Sequence, residues 1–357
     1  MAINLQKVRK MVSSFTTDAK FCDEEELLSK LVETAALSDV SRSMISNNAA
    51  ELVRRIRAEK KPSLMELFLA EYGLSTNEGV ALMCLAEAML RVPDAETLDA
   101  LIEDKIVPSD WGKHLGTATS SLVNASTWAL MLTGRVLDDE QLGVAGTLRR
   151  AIKRVGEPVI RLAVGRAMRE MGRQFVLGQT IEVALVEAHE LEAEGYTYSY
   201  DMLGEAAMTM ADSKRYAESY AHAISKIAGA CTSKDVAQNP GISVKLSALH
   251  PRYEVTQQNR VMAELVPIVL QLAQQAKAAG MGFNIDAEEQ SRLVLSLQVI
   301  EAVLSDPSLE GWDGFGVVVQ AYGKRAGRTL DWLYETAKRL DRRIMVRLVK
   351  GAYWDTE

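Results

Sequence analysis

The sequence predicts an α/β protein, with an all-helical N-terminal region followed by an incomplete (β/α)8 TIM-type barrel of about five parallel strands. Helical periodicity dominates as far as Gly195. Beyond it, short apolar runs such as ISVKLS and FGVVVQ alternate with helical patterns, which is typical of a parallel sheet covered on both faces. No glycine-rich fingerprint follows the first predicted strand, which ends at Asp201, so a dinucleotide-binding sheet is disfavoured.

The N-terminal helices are predicted from capping residues and periodicity. Acidic residues in the first turn favour a helix over Glu24–Leu37. Thr180 caps a helix over Ile181–Glu194, and Gly195 ends it. The other predicted helices are Asn48–Lys60, Ser63–Tyr72, Gly79–Arg91, Asp94–Asp104, Leu122–Gly134, Gln141–Val155 and Val159–Leu177.

The barrel elements follow in strict alternation. The predicted strands are Tyr196–Asp201, Gly241–Leu246, Gly282–Asp286, Phe315–Gln320 and Ile344–Val349. The helices between them are Ser213–Ala230, Gln258–Ala279, Gln290–Leu304 and Ala326–Leu340. We therefore expect three regions: an N-terminal helical arm over residues 1–65, a helical domain over 66–178 and the barrel over 179–357.

The composition of the 357-residue chain is that of a folded globular protein, and it disfavours several classes of function. The formal net charge of −7 argues against a nucleic-acid binder, which usually carries a basic patch. The three cysteines are far apart and show neither metal-ligand spacing nor a disulfide framework. From this cysteine spacing we expect no metal site. No segment has the apolar length of a membrane span or a secretory signal, so we expect a cytoplasmic protein.

Polar side chains stand at or near the C-terminal end of every predicted strand. They are Asp201, Lys245, Asp286, Gln320, and Arg347 with Lys350. The C-terminal strand ends of a βα barrel form the active-site rim, and a buried charge is unfavourable unless it is paired. We therefore expect Lys245, Asp286, Gln320 and Arg347 to point into one cavity. The excess of cations there favours an anionic ligand such as a carboxylate or phosphate.

Individual residues of this group allow more than one interpretation. Lys245 is either a carboxylate anchor or a Schiff-base amine. Asp286 is either a site carboxylate or a helix cap at the turn after its strand. Gly351 and Ala352 let a planar ligand approach the backbone, and Tyr353 and Trp354 either stack on it or pack at a helix start.

Seven motifs resemble one protein family, the proline utilization A proteins, which are bacterial bifunctional flavoenzymes. Five match its proline dehydrogenase barrel: TYSYDMLGEAAMT, GISVKLSALHPRYE, FNIDAEEQSRL, GFGVVVQAYGKRA and IMVRLVKGAYWDTE. Two more, NEGVALMCLAEAMLRVPD and VNASTWALMLTG, are similar to the family's helical domain. The resemblance runs from about Glu25 to the last residue. It implies FAD-dependent oxidation of L-proline to pyrroline-5-carboxylate, by hydride transfer to flavin N5.

The resemblance also implies roles for matching residues. Asp286 and Arg347 would be the active-site pair, with Arg347 against the isoalloxazine near N5. Lys245 would hold the proline carboxylate, Tyr353 would pack on the proline ring, and Glu205 would be the acidic half of a gate. The flavin would be lined by Arg347 together with Ala287, Gln320, Val349, Lys350, Gly351, Ala352 and Trp354.

The chain departs from the family pattern after the fifth strand. The later strands, a final helix with paired arginines and the NAD-dependent aldehyde dehydrogenase domain are absent, so we expect a fragment of a longer polypeptide. Open sheet edges predict weak or no flavin retention by residues 1–357 alone, which we expect to be inactive. The resemblance further implies a quinone as electron acceptor and peripheral association with the inner membrane. The sequence leaves open a homo-oligomer.

Three other functions compete with this interpretation. A Schiff-base lyase would use Lys245 as the amine and Asp286 to move protons, although it has no evident need for the KGAYW run. A non-catalytic fragment would use the helical region as an interaction module. A DNA-binding regulator is disfavoured by the acidic charge, so DNA binding is not expected.

Overall fold

The computed structural model describes residues 20–58, Thr97 and residues 176–353. These residues belong to two compact units: residues 20–37 and 180–353 form one, and the other described residues belong to the second. The helices predicted between Ser63 and Leu177 lie almost wholly outside the described residues. No helix in the described ranges is both long enough and apolar enough to cross a membrane.

The described N-terminal residues form helices α1 (Glu24–Ala35) and α2 (Asp39–Arg57), which confirms their predicted helical character. Asp23 caps α1 by accepting a hydrogen bond from the Glu26 amide at 3.0 Å. The predicted start of α2 at Asn48 was wrong. The helix begins at Asp39 because the Ser38 hydroxyl accepts from the Ser41 amide at 3.2 Å.

The barrel region contains a five-stranded sheet in the order β1-β2-β3-β4-β5, and every neighbouring pair is parallel. The strands are β1 (Ser199–Asp201), β2 (Gly241–Val244), β3 (Phe283–Ile285), β4 (Phe315–Gln320) and β5 (Met345–Val349). The helices are α3 (Ile181–Ala193), α4 (Met210–Ile227), α5 (Leu246–Leu249), α6 (Gln258–Ala279), α7 (Leu293–Leu304) and α8 (Ala326–Leu340). The predicted parallel α/β alternation is confirmed.

Several element boundaries differ from prediction by a few residues, and two of these differences have a clear local reason. Helix α4 begins at Met210 rather than Ser213, because Thr209 and Asp212 form a capping box with hydrogen bonds of 2.9 and 3.1 Å. Strand β2 ends at Val244 rather than Leu246, because residues 246–249 turn into the short helix α5.

The two faces of the sheet differ in polarity. One face buries apolar side chains in the core, among them Val244, Phe283 and Val317. Successive side chains of a strand point to opposite faces, so the other face carries the polar residues Ser243 and Asn284. We call this second face the inner face. It is here that the polar strand ends predicted from the sequence are found.

Candidate active site

Lys245 lies at the centre of a charged cluster on the inner face, directly after strand β2. Its Nζ lies 2.8 and 3.0 Å from the two carboxylate oxygens of Asp201, at the end of β1. It lies 2.9 Å from Oδ2 of Asp286, directly after β3. The parallel register of β1, β2 and β3 brings these three strand ends side by side. Of the two interpretations of Asp286, the site carboxylate fits these contacts.

Arg347 of strand β5 completes the cluster. Its Nη1 donates to the Ser243 hydroxyl at 3.1 Å, and its Nη2 donates to the Ser199 hydroxyl at 2.9 Å. Nη1 also lies 3.7 Å from Oδ1 of Asp286. The structure therefore brings Lys245, Asp286 and Arg347 together, as predicted, and two serines that the sequence analysis did not single out orient the guanidinium.

The electrostatics of the cluster keep Lys245 charged. Burial alone lowers the pKa of the Lys245 ammonium, but the hydrogen bonds and negative charges of Asp201 and Asp286 outweigh it, so the pKa is raised. Burial raises the pKa of the Asp286 carboxyl, and the positive charges of Lys245 and Arg347 oppose that rise. The cluster holds two cations and two carboxylates.

Gln320, the last residue of strand β4, does not bond to this cluster among the described contacts. It is buried, and its Nε2 donates to the Glu288 carbonyl oxygen at 2.8 Å. Its Oε1 accepts from the Ala352 amide at 2.9 Å. The Gln320 amide joins the segment after β3 to the segment after β5. The cavity that Gln320 lines also includes Asp286, and the expectation that it shares a cavity with Lys245 and Arg347 as well stays a prediction.

The segment after β5 carries most of the predicted flavin-lining residues. Gly351 has a φ of +131°, and a Cβ there would lie 2.1 Å from the Tyr322 ring. Lys350 and Ala352 on either side of it are exposed, whereas Val349 and Ala287 are half-buried. Trp354 lies outside the described residues.

Tyr353 and Glu205 meet across the site. The Tyr353 hydroxyl donates to Oε2 of Glu205 at 3.2 Å, which joins the segment after β5 to the segment after β1. Burial and the nearby Glu205 carboxylate raise the pKa of the Tyr353 phenol, so it stays protonated. This contact brings together two residues that were predicted to line the substrate.

Glu288 is a buried carboxylate that the sequence analysis missed. Its Oε1 accepts from the Ser247 amide at 3.0 Å, and burial raises the pKa of its carboxyl. The Ser247 hydroxyl in turn accepts from the Ala206 amide at 3.0 Å, beside Glu205. The sequence signal that could have indicated Glu288 is the run DAEE directly after β3, which contains further acids beyond Asp286. The described residues contain no group of acids, cysteines or histidines arranged to hold a metal ion.

Three family models match successive parts of the chain. Residues 184–357 match "Proline dehydrogenase" and residues 16–57 match "Proline utilization A proline dehydrogenase N-terminal domain". Residues 64–175 match "DNA-binding domain of Proline dehydrogenase", a description that goes against the expectation that DNA is not bound.

Curated relatives and solved structures point to the same family. The chain is 50% identical over 337 residues to bifunctional protein PutA of Rhizobium meliloti, and 48% identical over 339 residues to that of Salmonella typhimurium. Each alignment covers 94% of this chain but only 27% and 26% of the relative, so the chain spans about a quarter of their length. A crystal structure of a Bradyrhizobium japonicum Proline Utilization A mutant matches with a TM-score of 0.65 and 46% identity, over 94% of this chain and 33% of that one. The chain therefore belongs to the proline utilization A family.

Proposed function

We propose that the polypeptide containing this chain oxidises L-proline to pyrroline-5-carboxylate with FAD as the hydride acceptor. The observation that carries the proposal is the cluster of Lys245, Asp286 and Arg347 at the carboxyl ends of neighbouring parallel strands. This is where βα barrels bind substrates, and the proline dehydrogenase model matches the same residues.

The residues around the cluster fit a flavin. Arg347 is a partly exposed cation, with 38% of its side chain accessible, and can face an anionic ring system. The small, exposed side chain of Ala352 leaves room for a flat group, and the hydrogen bond that the Ala352 amide donates to Gln320 fixes the backbone there. When bound, FAD supplies the acceptor for the hydride that leaves proline C5 as the C5–N double bond forms and the nitrogen loses its proton.

The chain's own residues would bind and orient the substrate. Lys245 offers its ammonium to the proline carboxylate. Asp286 holds Lys245 and Arg347 in fixed positions through its two oxygens. Arg347 places a positive charge where negative charge develops during hydride transfer, and the two serine hydroxyls orient it beforehand. Tyr353 and Glu205 cover the ring of the substrate.

Proline-dependent flavin bleaching tests this proposal. The purified polypeptide that contains this chain is loaded with FAD and mixed anaerobically with L-proline, and D-proline serves as the control. We expect L-proline, but not D-proline, to abolish the absorbance of the oxidised flavin. In Arg347→Met we expect L-proline to cause little bleaching. A flavin-loaded protein whose spectrum ignores L-proline would contradict the substrate assignment. A quinone acceptor, peripheral membrane association and self-association are parts of the proposal that need separate assays.

The Schiff-base alternative is weakened by the charge state of Lys245. A lysine that attacks a carbonyl must be neutral, which requires a lowered pKa. Here two carboxylates raise the pKa of the ammonium. Borohydride trapping with a carbonyl substrate should therefore leave no covalent adduct on Lys245.

DNA binding is a second candidate function, favoured by the description of the model that matches residues 64–175. The net charge of −7 opposes non-specific affinity for phosphates. Filter binding of labelled duplex DNA over a series of salt concentrations distinguishes the two expectations. Retention that falls steeply with salt supports DNA binding, and no retention at low salt excludes it.

A further inference from the structure

The ammonium of Lys245 has no donor left for a substrate. A lysine offers three N–H donors, and three carboxylate oxygens lie within 3.0 Å of its Nζ. Two of these oxygens belong to Asp201 and one belongs to Asp286. A carboxylate that binds Lys245 must therefore displace one of the two residues.

Asp201 is the residue that can leave. Half of its side chain is accessible, compared with 13% of the Asp286 side chain. Within the described part of the chain, both hydrogen bonds of its carboxylate come from Lys245, whereas Asp286 also faces Arg347 at 3.7 Å. Water can hydrate a half-exposed carboxylate at once, but freeing the buried Asp286 would leave an unpaired charge in the interior.

The charge balance points the same way. Lys245 and Arg347 are matched by Asp201 and Asp286, so an additional carboxylate at Lys245 would leave the cluster with an excess negative charge. Moving the Asp201 carboxylate into water restores the balance at Lys245. The two oxygens of Asp201 occupy the two donors that a substrate carboxylate would take.

We propose that Asp201 is an internal competitor for the substrate's carboxylate, holding two donors of Lys245 and releasing them when that carboxylate binds. This inference rests on the proposed function, because it requires a substrate with a carboxylate. It makes Asp201 a specificity-determining residue that acts through Lys245. Only a ligand with its own carboxylate can replace the two hydrogen bonds that Lys245 loses when Asp201 moves away.

Titration calorimetry of ligand binding tests the inference. Asp201→Asn weakens the competitor, so L-proline should bind about fivefold more tightly, which is the difference between charged and neutral hydrogen bonds. Pyrrolidine is a cation without a carboxylate. Asp201→Asn should therefore bind pyrrolidine no more tightly than the unsubstituted protein does. Asp201→Glu keeps the charge, so it should bind L-proline about fivefold less tightly than Asp201→Asn does. Glu190→Gln, an exposed acid on α3, is the matched control and should leave both affinities unchanged.

The outcomes separate the two claims. If the unsubstituted, flavin-loaded polypeptide does not bind L-proline, the proposed function is wrong and this inference falls with it. If that protein binds L-proline and Asp201→Asn binds it equally or less tightly, only the inference about Asp201 is overturned. Tighter binding of pyrrolidine by Asp201→Asn would also overturn it, because the gain would then not depend on the carboxylate.

Discussion

Arg347 on strand β5 donates a hydrogen bond of 2.9 Å to the hydroxyl of Ser199 on strand β1. These strands stand at opposite ends of the sheet order. In a flat sheet, four spacings of about 4.8 Å would separate them by roughly 19 Å, too far for one arginine to bridge. The sheet must therefore curl with its inner face concave, which is the geometry of a barrel and not of an open doubly wound sheet.

The serines that hold Arg347 should contribute to stability and to function. Ser199→Ala and Ser243→Ala each remove one hydrogen bond to the guanidinium, so we expect each to lower the free energy of unfolding by about 1 kcal/mol. Urea unfolding measures the change, with the exposed Ser225→Ala on α4 as the control. A double-mutant cycle between Ser199→Ala and Arg347→Met should show coupling, and zero coupling would exclude an energetic role for this bond.

Removal of the Lys245 ammonium should mainly weaken substrate binding. In Lys245→Met the proline carboxylate loses its charged partner, and we expect KM for L-proline to rise about 10-fold to 100-fold. The variant should also unfold at lower urea concentration, because Asp286 keeps only the more distant Arg347. Lys234→Met, an exposed lysine, is the control for loss of a charge. An unchanged KM would exclude Lys245 as the carboxylate anchor.

Glu288 predicts a specific pH dependence of stability. Because burial raises the pKa of its carboxyl, protonation favours the folded state. Its favourable contribution is complete below the unfolded pKa and is lost as the pH rises through the folded pKa. Glu288→Gln cannot ionise but can still accept from the Ser247 amide. The variant should therefore be more stable than the unsubstituted protein at pH 7 and equal to it near pH 4, as measured by urea unfolding. A variant less stable at pH 7 would contradict this account.

The sequence predicts the regular elements better than it predicts the contacts of the site. Helix α6, strand β4 and helix α8 match their predicted bounds because their apolar periodicity is uninterrupted. The strand ends predict that Lys245, Asp286 and Arg347 are neighbours. The pairing of Asp201 with Lys245 depends on the register of β1 against β2, in which Asp201 stands opposite Ser243. Composition and spacing carry no information about that register, and the buried bonds of Gln320 depend on it in the same way.

Gly351 and Gly327 provide a matched pair for testing the backbone after strand β5. Gly351 adopts a φ of +131°, and the Cβ of an alanine there would lie 2.1 Å from Cδ1 of Tyr322. Gly327 lies near the start of helix α8, and a Cβ there meets no atom within 4 Å. Gly351→Ala should therefore destabilise the protein by about 1–3 kcal/mol, whereas Gly327→Ala should stabilise it by about 0.5–1 kcal/mol.

These glycines also distinguish a strained site backbone from a general intolerance of substitution. If Gly351 is required to keep residues 350–352 beside the Tyr322 ring, Gly351→Ala should weaken flavin retention as well as stability. Gly327→Ala should leave the flavin spectrum unchanged. Tyr322→Ala in the Gly351→Ala background removes the clash with the ring but not the strain of a positive φ, so it should recover only part of the lost stability. Full recovery would assign the whole effect to the ring, and no recovery would assign it to the backbone conformation alone.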